Sequence, residues 1–246
     1  MTSELKKDID RFINHFRQQL SDIEAINTPN ADLYQRLLYA SVLDTLAGAV
    51  FSKRPSNRDR FISFLQRFCQ WPEGNRVSLS HLVQLLRKNP DPAFAKLRIW
   101  AIAKYNLLPI HGGQIIDISL DPSFDEVSSN WPTQKEHRTP LEGIDLISLQ
   151  HFQLLYAYRN TLVHEFRIPG YGMEFGSDEN PFYHEMGTID DAGDSSDSIE
   201  LVYPRKFLNR LCNTGLNQLH LYFIENGLNP YDSRTFGTYW LSELNR

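Results

Sequence analysis

"YAYRNTLVHEFRIPGYG" (Tyr156–Gly172) sets Arg159, Asn160 and His164 into an otherwise apolar run that stops at a proline and a glycine. Upstream and through it, Leu149, Phe152, Tyr156, Asn160, Val163 and His164 fall on one stripe at spacings of three and four. Ile144, Ile147, Leu155, Leu162 and Phe166 crowd the adjoining face. Apolar residues on both stripes predict a helix that is largely buried. Its start is predicted at "TPLE" (Thr139–Glu142), which has capping-box spacing and a proline in the first turn, or at Asp145, because Gly143 weakens the earlier start. Ile168-Pro169-Gly170 stops it at about Arg167.

The segments before it repeat the helical period. Leu5, Ile9, Phe12, Ile13, Phe16, Leu20 and Ile23 form one stripe. Asn30–Phe51 is apolar nearly all round, which predicts a helix covered on several sides. "SNRDRFISFLQRFCQW" capped by Ser56, "SLSHLVQLLRK" stopped by Pro90, and "DPAFAKLRIWAIAKYNLL" supply three more. Residues 107–140 lose the period among Gly, Pro, Asp and Ser and read as a long irregular insert, with a short extended piece at "QIIDISL". After the motif helix, residues 180–203 read as a β-hairpin whose tip holds Asp190, Asp191, Asp194 and Asp197. That spacing is not a calcium loop, and His184 and Glu185 have no spaced partners, so both read as exposed polar residues rather than metal ligands. A last helix starts near Pro204 and stops at Gly227. The expected fold is mostly α, one helical domain over 1–246, with a hairpin inserted between the last two long helices.

Composition excludes several classes. With 41% hydrophobic and 12% aromatic residues the chain can build a core. The longest greasy stretch, Leu37–Phe51, is interrupted by Asp44 and too short for a membrane. The N-terminal residues are charged and lack a signal-peptide core, so the expected location is the cytoplasm. Cys69 and Cys212 are the only cysteines, giving neither a disulfide framework nor zinc spacing. Net charge is −5, unevenly spread: residues 52–106 carry eleven Lys and Arg against three acids, and residues 107–200 carry four against seventeen. Either the basic third faces a polyanion or the two thirds neutralise each other.

An Arg, an Asn and a His thus converge near the C-terminal end of one helix. Asn160 and His164 are stacked four apart, and Arg159 lies about 140° round from His164 but can curl toward the asparagine. The structural alternative is that Arg159 pairs with a carboxylate and His164 caps the helix end. "RNTLVH" fits Arg-x4-His with a polar residue after the arginine. Together with "LYASVLDTLA" before it and a hairpin ending "IELVYP" that runs into "FLNRL", it resembles the HEPN family (higher eukaryotes and prokaryotes nucleotide-binding domains), in a bacterial branch, over roughly residues 30–225. The 107–140 insert departs from that pattern.

The resemblance implies a HEPN-like helical bundle that forms a homodimer and brings two motifs face to face. It implies a metal-independent endoribonuclease, a toxin or antiviral defence effector, with RNA as substrate and an antitoxin protein as a partner. Arg159 and His164 would be the catalytic pair, with Asn160 in support. No cofactor or metal is called for, because the RNA 2′-hydroxyl serves as nucleophile once a base takes its proton and an acid protonates the leaving oxygen. Histidine can fill either role, a helix C-terminus favours its charged form, and arginine forks onto phosphate oxygens. For RNA binding the candidates are Arg54, Arg58 and Arg60, with Tyr158 and Tyr171 as rings for base stacking. Solvated arginines and packed tyrosines are the alternatives. A non-catalytic dimerisation or partner-binding scaffold of the same fold is the competing reading.

Overall fold

The computed structural model describes residues 2–52, 56–109, 115–134, 137–138, 140–170, 172–174, 178–189 and 195–232. Arg54 and Tyr171, and the acidic hairpin tip at 190–194, lie outside them. The chain is mostly helical and divides into two compact units, Met1–Trp71 with Leu208–Arg246, and Pro72–Phe207.

In the first unit, α1 (Ser3–Glu24) is capped by the Thr2 side chain and buries Ile9, Phe12, Ile13, Phe16, Leu20 and Ile23, the stripe read from the sequence. α2 (Ala31–Phe51) is covered on several sides, with Tyr39, Leu43, Leu46 and Ala47 all buried. Buried polar groups in α2 are satisfied locally. Gln35 Nε2 donates to the carbonyls of Ile23, Glu24 and Ile26, so it caps the end of α1 from the neighbouring helix. α3 (Asn57–Phe68) starts on the Ser56 hydroxyl and stacks Phe64 on Phe68. The part of α8 (Arg205–Asn226) that belongs to this unit adds Leu211, Leu216, Leu219 and Phe223, with Phe223 edge-on to Phe12 at 5.9 Å. Each such apolar side chain contributes roughly 1.5–3 kcal/mol on burial. Gly227 ends α8 with φ +61°, as its place in the sequence predicts.

The second unit holds α4 (Leu79–Lys88), α5 (Ala95–Tyr105), α6 (Phe124–Ser128) and α7 (His151–Glu165). Its core gathers Leu82, Leu86, Phe94, Leu97, Trp131, Leu146 and Leu149. The insert is less irregular than expected. β1 (Ile115–Asp117) lies inside the extended piece read at "QIIDISL", and α6 opens on a full capping box, Ser123 with Glu126. A two-stranded ribbon of β2 (Thr133–Gln134) and β3 (His137–Arg138) follows. The hairpin is present between α7 and α8 as β4 (Phe182–Ile189) and β5 (Ser195–Val202). β1 adds to it antiparallel, giving the order β1-β4-β5. This places β4 in the middle of a sheet. His184, expected to be exposed, is therefore only 8% exposed, and Glu185 is half-buried.

The start of α7 also differs from the capping-box reading. Leu141–Ile144 is a two-residue hairpin turn, with Leu141 and Ile144 exchanging both backbone bonds and with φ +52° at Glu142 and +75° at Gly143. Two successive positive φ angles define a type I′ turn, and glycine is what makes the second one inexpensive. Residues 146–149 then form a 3-10 turn, and the α-helix begins only at His151.

Candidate functional site

α7 carries both polar constellations of this unit, one at each end. Its first residues are locked by backbone pairing: Ser78 N–H donates to Leu149 O at 2.9 Å, and His151 N–H donates to Arg76 O at 3.1 Å. Gln150 Nε2 donates to Asn75 O at 3.0 Å. The helix lies so close to the 72–75 turn that a Cβ on Gly74 would sit 2.3 Å from the Phe152 ring.

At the C-terminal end stand the residues singled out from the sequence. Arg159 is half-buried, its Nη1 donates to Asn160 Oδ1 at 3.0 Å, and its guanidinium carbon lies 5.9 Å from the centre of the Tyr156 ring. Asn160 is half-buried and His164, in the last turn, is exposed. The helix closes on Phe166 in the left-handed region (φ +53°, ψ +39°), where a residue with a Cβ is strained by roughly 1 kcal/mol or more. Phe166 is also 56% exposed. An aromatic ring and an imidazole thus share the solvent-facing end of the helix, while Arg159 is held to Asn160 one residue along.

The other expected contacts are distributed differently. Tyr158 is 7% exposed, with its ring edge-on to Tyr203 at 5.2 Å, so it packs and has no face to give a base. This corrects its reading as a stacking platform, for the ordinary reason that a tyrosine on the inner face of a helix fills the core. Arg58 is exposed on α3, and Arg60 is half-buried and bonded to Asn57. Both belong to the first unit, whereas Arg159 and His164 belong to the second.

Sequence reasoning missed the constellation at the other end of α7. His151, thirteen residues before His164 on the same helix, is wholly buried with Nε2 2.7 Å from Asp121 Oδ2. The same carboxylate oxygen accepts the Tyr183 hydroxyl at 2.6 Å, and Asp121 Oδ1 accepts the Leu79 N–H at 3.0 Å. Ser78 Oγ is 2.7 Å from Tyr183 Oη and 2.7 Å from His81 Nδ1. Five polar side chains from four separate segments form one unbroken chain. Burial first, and then the adjacent Asp121 charge, push the Tyr183 phenol well above its ordinary range. Burial first, and then His151, hold the His81 imidazole down to about 4, against the opposing pull of Asp121. Only Asp121, four residues after β1 in the insert, signals this cluster in the sequence, and its role depends on distant partners.

Among the described residues no group of three or more His, Cys, Asp or Glu side chains is arranged to hold a metal ion. Among them, too, no helix is long and apolar enough to cross a membrane. A scan against protein-family models and searches of curated proteins and of solved structures give no match.

Proposed function

We propose that the chain is a metal-independent endoribonuclease of HEPN type, with Arg159 and His164 as its catalytic pair and Asn160 positioning the arginine. What supports the reading is the end of α7: an exposed imidazole following a half-buried guanidinium whose fork is held by the next residue's amide. In the reaction a base removes the 2′-hydroxyl proton, the oxygen attacks phosphorus, and the bond to the 5′-oxygen breaks as an acid protonates it. The products are a 2′,3′-cyclic phosphate and a 5′-hydroxyl. Arg159 would hold the non-bridging oxygens as charge grows on them.

One imidazole cannot be base and acid in the same step, so a second copy of the chain supplies the other, in a composite dimer site. Arg58 and Arg60 would bind RNA phosphates, and a toxin or defence effector held in check by an antitoxin is the setting this activity fits. Purified protein incubated with RNA in EDTA should yield cyclic-phosphate ends. His164→Ala and Arg159→Ala should each lose at least about 10²-fold in rate with an unchanged melting temperature. Equal cleavage by wild type and His164→Ala, or none by wild-type dimer over a panel of structured and unstructured RNAs, would favour the non-catalytic scaffold instead.

A further inference from the structure

The buried chain behind α4 has a definite polarity, because each hydroxyl has one proton to give. Tyr183 gives its proton to Asp121. Its oxygen must then accept from Ser78, and Ser78, its own proton committed, must accept from His81 Nδ1. Ser78 Oγ also accepts the His81 backbone N–H at 3.4 Å as the cap of α4, which fills its remaining lone pair. The neutral imidazole therefore carries its hydrogen on Nδ1, and its lone pair sits on Nε2. Burial and His151 keep the ring neutral at physiological pH. No hydrogen bond to Nε2 is found among the described residues.

His81 lines a pocket of about 320 Å³ together with Leu85, Ile144, Leu149 and Leu154, and Gln84, Ser148 and Lys88 supply its polar side chains. His81, Leu85 and Lys88 follow one another along one face of α4, two turns of helix from acceptor to cation. The type I′ turn at Glu142–Gly143 forms part of the wall, and a Cβ on Gly143 would meet nothing within 4 Å.

We propose that this pocket binds a small organic acid with an apolar body, which donates an N–H or O–H to His81 Nε2 and places its carboxylate at Lys88. A fixed acceptor at one end, a cation at the other and four aliphatic side chains between them are complementary to that class of ligand. The Asp121–Tyr183–Ser78 relay acts on it only through His81, by holding the tautomer. This site uses none of the residues of the ribonuclease reading and stands or falls separately from it.

Indole-3-acetate is the probe, titrated into the full chain labelled with ¹⁵N-histidine. Long-range ¹H–¹⁵N spectra should show His81 neutral and protonated on Nδ1 at pH 7, with the Nε2 resonance moving as the acid saturates the site. 1-Methylindole-3-acetate, which lacks the donor, should bind at least tenfold more weakly. Lys88→Ala, at an exposed position, should weaken the acid severalfold and leave neutral indole unaffected. An Nε2-protonated tautomer, equal affinity for the methylated acid, or no saturable binding at millimolar concentration would each overturn the proposal.

Discussion

His151 and His164 sit on the same helix, thirteen positions apart, and their surroundings differ in nearly every respect. His151 is fully buried, paired to a carboxylate that also takes a tyrosine hydroxyl and a backbone amide. His164 faces solvent in the last turn, beside an exposed phenylalanine with a left-handed backbone. The first end is arranged so that each change to one group leaves another buried and unsatisfied, which is costly. The second end carries an exposed imidazole and an exposed ring, with Arg159 and Asn160 half-buried on the turn before them. One helix therefore carries a buried polar network at its N-terminus and exposed side chains at its C-terminus.

That contrast can be tested by stability, beginning where the effect is greatest. Asp121→Ala removes the acceptor shared by His151, Tyr183 and the Leu79 amide, and should cost about 3–5 kcal/mol in urea unfolding. A loss under about 1 kcal/mol would mean the network is not a unit. Next comes pH. His81 binds its proton more weakly folded, near 4, than unfolded, near 6.5, so the unfolded chain holds more protons between those values. The stability this contributes is complete above about pH 6.5 and is lost as pH falls toward 4, by about 2 kcal/mol after allowing for the ring's partial exposure. Unfolding midpoints from pH 7 to 4 should show that slope in wild type and not in His81→Phe.

Gly74→Ala, which drives a methyl into the Phe152 ring, should cost about 1–3 kcal/mol by calorimetry. A neutral result would show that α7 can move away from the 72–75 turn. The smallest effect belongs to His164→Ala, within about 0.5 kcal/mol of wild type in the same assays. A large loss there would make both ends structural and remove the contrast.

Much of the helical framework was legible in the sequence because a helix repeats its burial every three to four residues. The α1 stripe from Ile9 to Ile23 and the Ser56 cap could be read locally. The hairpin between α7 and α8 was equally plain, since strand and turn chemistry lie next to each other in the chain. The start of α7 was not. "TPLE" has the spacing of a capping box, but the Glu142–Gly143 pair prefers the type I′ turn, and the helix waits for His151. Nor was the burial of His184 legible, because it required β1, sixty-odd residues earlier, to pair across it.

The candidate site divides in the same way. Arg159, Asn160 and His164 were visible because all three lie within six residues of one helix, where spacing fixes which side chains are neighbours. The half-burial of Arg159 and Asn160, the exposure of His164 and the withdrawal of Tyr158 into the core beside Tyr203 were set by packing. The chain from His81 to His151 could not have been read from any window of sequence. Its members come from residues 78–81, 121, 151 and 183, and hydrogen bonds of 2.6–2.7 Å between them exist only once α4, the insert, α7 and β4 are brought together. By itself the sequence determined the local periodicities, the caps and the motif on α7, because these depend on neighbours along the chain. Only the tertiary structure decided which polar groups are kept from water, because burial and hydrogen-bond partnership depend on residues far apart in it.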